Sequence, residues 1–186
     1  ARKYALDLLF PLQCLGCHAE GVWVCDACIQ GIPSLYELTC PWCEHASVFG
    51  YACSSCAHRA KPSRHISLYS FSSPLVRDIV HVCKYEYIED LSEYMGSVIA
   101  DMFPCQEYVH THPLVVAIPL HRKRLCERGF NQADGIARAF ARDSGYEYQR
   151  DTLIRTRNTY TQTALTKSER AKNIRGAFMA ENPSRL

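Results

Sequence analysis

The sequence lacks any apolar run close to the roughly 20 residues that a helix needs to cross a bilayer. It also opens without the basic start and apolar core of a secretory signal peptide. These absences exclude a chain built around transmembrane helices, and they give no reason to expect a secreted disulfide framework. We therefore expect a cytoplasmic protein. Apolar residues, in contrast, are not scarce. With 47% apolar and 22% charged residues, the composition excludes a disordered chain.

A strong net charge is also missing, because the formal total is only +2. The small total hides an uneven distribution. Residues 66–112 carry two basic and seven acidic groups, a net of −5, whereas residues 113–186 carry fourteen basic and seven acidic groups, a net of +7. A basic C-terminal third indicates a phosphate-bearing ligand there. On charge alone, a solvated basic face explains the same pattern equally well.

Cysteine is abundant in the first sixty residues, where eight thiols form four Cys-x-x-Cys pairs. Each pair lets two thiolates converge on one metal ion, and two pairs complete a tetrahedral site. A disulfide framework or a redox pair would not need four pairs at this spacing. We therefore predict that residues 1–60 form a double zinc ribbon holding two structural zinc ions. The predicted ligands are Cys14, Cys17, Cys25, Cys28, Cys40, Cys43, Cys53 and Cys56.

The spacing leaves open how these pairs combine. Sequential pairing, the first with the second and the third with the fourth, gives two tandem ribbons and is the preferred arrangement. A cross-braced arrangement, the first with the third and the second with the fourth, also fits the spacing. His18, His45 and His58 lie beside the pairs, but with eight thiols present they are predicted not to be ligands.

Residues 61–186 are predicted to form a second domain of the α/β class, because helical and strand patterns alternate along it. An apolar run at 114–119 indicates a strand buried on both faces of a parallel sheet. Thr166 and Glu169 have the spacing of a capping box. Helices are predicted at about 4–10 (an amphipathic lead-in), 74–85, 88–103 and 131–143 and from 166 onward, and strands at 65–71, 114–119 and 151–155 and from 177 onward.

The segment after the apolar run is predicted to be a basic loop that binds phosphate or pyrophosphate, since ligands bind at the carboxyl ends of parallel strands. Arginines can grip phosphate oxygens with two hydrogen bonds, and the amides opening the next helix can face an anion. The candidate binding residues are Arg122, Arg124, Arg128, Gly129, Phe130, Asn131 and Gln132. A second set lies on the polar stretch that follows 151–155: Arg157, Thr161, Gln162, Thr163, Lys167 and Arg170.

Several of these motifs together resemble the signatures of the ComF family. The stretch 118–124 with 128–132 is similar to its first signature, and 80–85 resembles its characteristic helix end. Its second signature is similar to 155–157, 161–165, 169–170 and 173–178. The cysteine pairs match the family's zinc ribbon, so the resemblance covers most of the chain.

This resemblance implies a type I phosphoribosyltransferase fold, partial here, in which a parallel sheet carries flanking helices. It implies phosphoribosyl pyrophosphate as a ligand, with Mg²⁺, and pyrophosphate near Arg128 to Gln132. The stretch from Thr161 to Arg170 would be a flexible loop that closes over the reaction centre. Relatives of this type handle single-stranded DNA during competence, which implies a helicase-like partner. The family's acidic pair followed by Thr-Thr-Gly is expected after Phe178 but does not occur, so we expect a truncated sequence.

Two functions follow as hypotheses. The first is a competence-type protein that handles single-stranded DNA, with a phosphoribosyltransferase-like phosphate site that is ancestral or regulatory. The second is an active phosphoribosyltransferase with an unknown acceptor. No residue stands out as a catalytic base, so no catalytic residue is assigned.

Overall fold

A computed structural model describes residues 11–33, 39–47, 50–58, 62–86, 88–103, 113–162 and 165–181. The chain divides into two compact units, Ala1–Val80 and His81–Leu186. The expected domain boundary after residue 60 stays a prediction, and the expected lead-in helix at 4–10 lies outside the described residues. Within the described ranges, no helix is both long and apolar enough to span a membrane.

The first unit contains two short hairpins with the same backbone pattern. In one, the Cys14 amide donates to the Ala19 carbonyl at 2.8 Å, next to an isolated bridge between Gln13 and Glu20. In the other, the Cys40 amide donates to the His45 carbonyl at 2.9 Å, beside a bridge between Thr39 and Ala46. Helix α1 (Asp26–Gln30) follows the first hairpin. The repetition gives each of two small modules its own turn.

The strand predicted at 65–71 is wrong. Isolated bridges occur at Arg64, which pairs with Tyr51, and at Tyr69, with no regular strand around them. Alternating apolar and polar residues form a strand only where a neighbour supplies a continuous ladder of hydrogen bonds. In the described part of this segment, that neighbour supplies single bridges only.

The predicted helices at 74–85 and 88–103 are confirmed as α2 (Pro74–Tyr85) and α3 (Glu89–Met102). The helix predicted at 131–143 is confirmed as α5 (Gln132–Ser144), after a shorter helix, α4 (Arg122–Arg128). The helix beginning after Thr166 is confirmed as α6 (Lys167–Ile174), and its capping box between Thr166 and Glu169 is present. Local end signals mark several of these boundaries, such as the Thr166 cap that begins α6 and Gly145 after α5.

Helices α3 and α5 form the core of the second unit through small residues. The most buried positions of α3 are Leu91, Ser92, Gly96 and Ala100. A Cβ on Gly96 would lie 2.7 Å from the Cβ of Ala139, and one on Gly135 of α5 would lie 2.9 Å from the Cβ of Ser92. The closest contact between α3 and α5 is therefore made by small residues.

The strands are short and form two separate pairs in the part of the chain that the structure describes. Strand β1 (Leu114–Val115) pairs in parallel with β2 (Glu147–Tyr148). Strand β3 (Leu153–Arg155) pairs antiparallel with β4 (Phe178–Ala180), so both strands predicted in this region are confirmed. The mixed α/β class is confirmed, but the parallel sheet is reduced to one pair.

The expectation of a strand buried on both faces at 114–119 is wrong. Leu114 and Val115 are half-buried, and Ile118 is 61% exposed. A strand with one short neighbour has too little sheet around it for both faces to be covered. The run therefore ends as an exposed connection that leads into α4.

The basic segment predicted as a loop is instead mostly helix α4. His121 caps its start, where the His121 Nδ1 accepts from the Lys123 amide at 3.2 Å. Gly129 ends it, with φ of 75° and its amide donating to the Leu125 carbonyl at 2.8 Å. Glycine adopts this left-handed conformation without the steric cost that a side chain adds. Only residues 129–131 remain as a connection to α5.

Candidate functional site

The eight paired cysteines form two clusters of four, and in each the four Sγ atoms lie within 4.8 Å of one another. One cluster contains Cys14, Cys17, Cys25 and Cys28, and the other contains Cys40, Cys43, Cys53 and Cys56. The grouping is therefore sequential. In the described residues no histidine joins either group.

The spacing of the sulfur atoms tests whether zinc fits. Zn–S bonds of about 2.3 Å in a tetrahedron place the sulfur atoms about 3.8 Å apart. The Sγ atoms of Cys17 and Cys25 are 3.6 Å apart, and those of Cys43 and Cys53 are 3.7 Å apart. Two zinc ions therefore fit, each with four protein ligands. A site with no open position for water or substrate is structural.

Backbone amides point at the most buried sulfur of each cluster. The amides of Gly16 and Cys25 donate to the Cys14 Sγ at 3.4 and 3.3 Å, and the Cys53 amide donates to the Cys40 Sγ at 3.4 Å. The bond from Cys25, with those from Cys17 and Gly16, lowers the pKa of Cys14 to about 6 against the effect of burial. Burial raises the pKa of Cys40, but hydrogen bonds from the backbone amides of Cys43, Cys53 and Trp42 outweigh this effect and lower the pKa to about 6. These amides stabilise the thiolate form that metal binding requires.

The residue after the second cysteine of each hairpin adopts a left-handed conformation: φ is 62° at His18 and 63° at Glu44. The amide of each donates to the backbone carbonyl of the first cysteine of its pair. These bonds are 2.9 Å from His18 to Cys14 and 3.0 Å from Glu44 to Cys40. Residues other than glycine are uncommon in this conformation. His18 therefore serves as a turn residue, and the same geometry recurs in the second hairpin.

The second candidate site is a cleft of about 550 Å³ in the second unit. It lies beyond the carboxyl end of β1, where the sequence predicted a ligand site. Helix α4, the start of α5 and the residues from 148 to 155 form its walls. Arg122, Gly129, Phe130 and Asn131, four of the seven predicted phosphate-binding residues, line it.

The other three predicted residues of this set are engaged elsewhere. The Arg128 Nη1 donates to the Gln132 Oε1 at 3.2 Å, and the Arg128 guanidinium lies 5.7 Å from the centre of the Tyr85 ring. The Arg124 Nη2 donates to the Thr161 Oγ1 at 2.7 Å, which joins the two predicted basic sets. Asn131 has a structural bond as well, since its Nδ2 donates to the Ile118 carbonyl at 3.1 Å. The set is thus brought to one region but divided between the cleft and its rim.

Sequence reasoning missed a buried carboxylate in this cleft. Asp134 is only 8% exposed, and it accepts hydrogen bonds from Tyr148 and, at 2.6 Å, from the Arg150 Nη2. Burial raises the pKa of Asp134, but the bond from Arg150 and then that from Tyr148 outweigh it and leave the pKa below its ordinary value. The available signal was an acidic residue three positions before Ala137, on the side of this helix that is buried.

The second predicted set forms a loop stabilised mainly through its backbone. The Arg157 Nη2 donates to the carbonyls of Asn173 and Arg175, both at 2.8 Å. The Arg170 Nε donates to the carbonyls of Gln162 and Leu165 at 3.0 and 2.9 Å. These two arginines, predicted to face a ligand, therefore brace the chain. Lys167 begins α6, and Thr163 lies outside the described residues.

Arg155, at the end of β3, lies between the cleft and this loop. It donates to the Thr159 Oγ1, and its guanidinium stands 5.4 Å from the centre of the Phe178 ring. In the part of the chain that the structure describes, the buried Nε of Arg155 has no hydrogen-bond partner. Burial lowers the pKa of Arg155, and the charge of Arg124 lowers it further. Both arginines thus bond threonines of the same loop, Arg155 at Thr159 and Arg124 at Thr161, and their positive charges repel each other.

The chain is similar in sequence to several known proteins, each at low identity. The chain is 26% identical over 167 residues to the DNA utilization protein YhgH of Salmonella typhi, covering 86% of the chain and 72% of the relative. It is 24% identical over 189 residues to the protein of that name in Escherichia coli K12, covering 95% and 81%. Competence protein F of Haemophilus influenzae is 22% identical over 184 residues, covering 91% and 76%.

These relatives confirm the resemblance to the ComF family over most of the chain. The two four-cysteine clusters fit the double zinc ribbon that the resemblance implied. No family model matches the chain. No solved structure matches it either.

Proposed function

We propose that this chain is a competence-type protein that binds single-stranded DNA through the phosphate backbone, at the basic rim formed by α4 and Arg155. The observation that carries the proposal is the bonding of Arg124 and Arg155 to threonines two residues apart in one loop, while the buried Nε of Arg155 lacks a protein partner among the described residues. A buried cationic donor is costly unless something satisfies it, and a phosphate oxygen would do so. The names of the relatives, DNA utilization protein and competence protein, support DNA as the source of that phosphate.

We further propose that the cleft is a phosphoribosyltransferase-like phosphate site, ancestral or regulatory, on a partial fold of that type. Arg122, Gly129, Phe130 and Asn131 would face the ligand from the cleft wall, with Arg124, Arg128 and Gln132 beside them. The position of the cleft beyond a parallel strand supports this. The loop from Thr161 to Arg170 would close over it.

The second candidate function is an active phosphoribosyltransferase that uses phosphoribosyl pyrophosphate and Mg²⁺ with an unknown acceptor. The cleft favours it, because about 550 Å³ is within the range of small-molecule sites. Asp134 makes a weak candidate base, since its bond to Arg150 helps to keep its pKa low. In the described ranges the two cysteine clusters are the only groups of three or more potential metal ligands. Mg²⁺ would therefore depend on the phosphates of its ligand.

Four further parts of the proposal rest on the sequence and on the family resemblance. The boundary after residue 60 would separate the zinc ribbons from the phosphoribosyltransferase-like domain. A helicase-like competence protein would be the partner, and the cytoplasm would be the location. The zinc module would dock DNA or that partner.

The experiment measures binding of a labelled single-stranded oligonucleotide to the zinc-loaded chain, with and without phosphoribosyl pyrophosphate and Mg²⁺. Binding through phosphates weakens linearly with the logarithm of salt concentration, with a slope set by the number of contacts. We expect Arg124→Gln to lower that slope by about 0.7, the value for one phosphate contact on a single strand. Arg142→Gln is the matched control, because Arg142 is paired with Asp143 on α5 at 2.7 Å.

Displacement of the DNA by phosphoribosyl pyrophosphate would indicate that one phosphate site serves both ligands. Saturable binding of phosphoribosyl pyrophosphate with no DNA binding would replace the proposal with the transferase. DNA affinity that is constant between low and moderate salt would contradict a phosphate-based interface.

A further inference from the structure

Two arginines frame one tyrosine on the loop after β3. Arg155 donates to the Oγ1 of Thr159, and Arg124 of α4 donates to the Oγ1 of Thr161 at 2.7 Å. Tyr160 lies between these two threonines in the chain. Its neighbours on both sides are therefore anchored to cationic side chains.

The backbone of Tyr160 is also fixed from the opposite side by Asn173 of α6. The Tyr160 amide donates to the Asn173 Oδ1 at 3.3 Å, and the Asn173 Nδ2 donates to the Tyr160 carbonyl at 3.0 Å. Arg157 in turn holds the carbonyl of Asn173 at 2.8 Å. Both backbone polar groups of Tyr160 are thus satisfied, as in a strand or a cap.

Tyr160 is nevertheless 85% exposed, the highest value among the large hydrophobic residues in the ranges that the structure describes. One exposed apolar residue is ordinary by itself. Here, however, the exposed ring lies on a braced backbone. Together with Lys123, Arg124, Asn158 and one carboxylate, Glu127, it lines a surface depression of about 380 Å³. An aromatic ring beside cationic groups is the arrangement that single-stranded nucleic acid binding uses.

We infer that Tyr160 is a stacking platform for a base of single-stranded DNA, with the adjoining phosphate held by Arg124 and Lys123 at the depression beside it. This inference rests on the proposed function and adds the residue that contacts a base. Stacking is tolerant of sequence because every base has a π-face. The site would therefore bind single strands without sequence preference, and it would exclude duplex DNA, whose bases are already stacked.

The brace explains why a tyrosine here can contribute to affinity. A ring on a free loop would lose conformational entropy on binding, and that loss would offset much of the stacking energy. The bonds from Asn173 and the two arginines fix the backbone before any ligand arrives. The depression also brings the positive charges of Lys123 and Arg124 to one place, so a bound phosphate reduces the repulsion between them.

The test compares Tyr160→Ala with Tyr160→Phe in the zinc-loaded chain, using a fluorescent oligothymidylate of about 16 nucleotides, the upper end of known site sizes. Tyr160→Ala is expected to weaken binding by about 5-fold to 150-fold, the range found for one stacked base. Tyr160→Phe keeps the ring and is expected to bind like the unchanged chain. The salt slope should stay the same in both variants, because neither changes a charge.

A second oligonucleotide of the same length with abasic sites separates stacking from other effects. We expect the unchanged chain and Tyr160→Ala to bind the abasic strand equally, because it offers nothing to stack. If Tyr160→Ala binds oligothymidylate as the unchanged chain does, the inference fails while the proposed function stands. If the unchanged chain does not bind single strands at all, the proposed function fails and this inference fails with it. Thermal melts of each variant check that the fold is intact.

Discussion

Gly96 in α3 lies directly against Ala139 in α5, so that a Cβ at residue 96 would stand 2.7 Å from the Ala139 Cβ. The carbonyl oxygen of Ile136 would be closer still. Carbon atoms do not approach this closely without displacement of one of them. The two helices can therefore pack at this distance only because residue 96 has no side chain. The start of α5, which forms one wall of the cleft, is positioned by that contact.

Gly96→Ala is therefore expected to destabilise the second unit. Alanine is the better helix former by about 1 kcal/mol. Overpacking costs about 1–3 kcal/mol, and here the cost should be about 2–3 kcal/mol because a backbone carbonyl cannot rotate away as a side chain can. We therefore expect a net loss of about 1–2 kcal/mol. Chemical denaturation of the zinc-loaded chain measures it. Asp101→Ala, at an exposed position of the same helix, is the control and should change stability by less than about 0.5 kcal/mol. Equal stability of the two variants would contradict the packing argument.

The helices could be predicted from the sequence because their signals are local. Thr166 and Glu169 specify the start of α6 by themselves, since the side chain of each accepts a hydrogen bond from the backbone amide of the other. Asn131 does the same for α5, where its Oδ1 accepts from the Ala133 amide at 3.3 Å. The clustering of the cysteines was predictable for a similar reason, because each Cys-x-x-Cys pair forms within one turn.

The strands and the basic helix were harder to predict because they depend on distant partners or on weak end signals. The run at 114–119 contains the residues of a buried strand, but burial depends on neighbours that the run does not encode. Helix α4 has a histidine as its cap, and histidine is not among the preferred capping residues. A basic segment with such a start resembles a loop when only composition is considered.

The roles of individual arginines could not be predicted, because a guanidinium binds a backbone carbonyl as readily as it binds a phosphate. Arg157 and Arg170 were predicted to face a ligand, and both brace the loop instead. Arg124 and Arg155 are distant in sequence, and only the fold brings both of them to the same loop. Tyr160 carries no sequence signal at all, since its exposure follows from how its neighbours are held.

The ion pair of Asp134 predicts a pH dependence of stability. The pKa of Asp134 is lower in the folded chain than its ordinary value of about 3.9, because of the bonds from Arg150 and Tyr148, which outweigh burial. The unfolded chain therefore binds the proton more tightly. The contribution of Asp134 to the free energy of unfolding is fully present above pH 5 or so. It is lost as the pH falls below about 4, through the folded-state pKa.

Asp134→Asn removes this contribution, so we expect it to destabilise the second unit by about 1–3 kcal/mol at neutral pH. The difference from the unchanged chain should narrow below about pH 4, where Asp134 itself becomes protonated. Denaturation at several pH values measures the difference, which also subtracts acid effects common to both chains, such as zinc loss. Glu147→Gln, at an exposed position of β2, is the control. A difference that stays constant down to pH 3 or so would contradict the assignment.

The grouping of the cysteines predicts how zinc content responds to paired substitutions. The unchanged chain should hold two zinc ions, since the sulfur atoms form two separate clusters. Cys17→Ser with Cys25→Ser disrupts a single cluster, so one zinc ion should remain. Cys17→Ser with Cys43→Ser disrupts both clusters, so neither ion should remain tightly bound. Zinc per chain, measured by elemental analysis after dialysis, distinguishes the two variants.

The cross-braced arrangement gives the opposite result, because there the first pair shares an ion with the third. In that case Cys17→Ser with Cys43→Ser would retain one zinc ion, and Cys17→Ser with Cys25→Ser would retain none. Cys126→Ser is the control, since Cys126 is exposed and outside both clusters, and it should retain two ions. Because metal binding supplies much of the folding energy of so small a module, each lost ion should also remove protease resistance from its own hairpin, and the other hairpin should keep it.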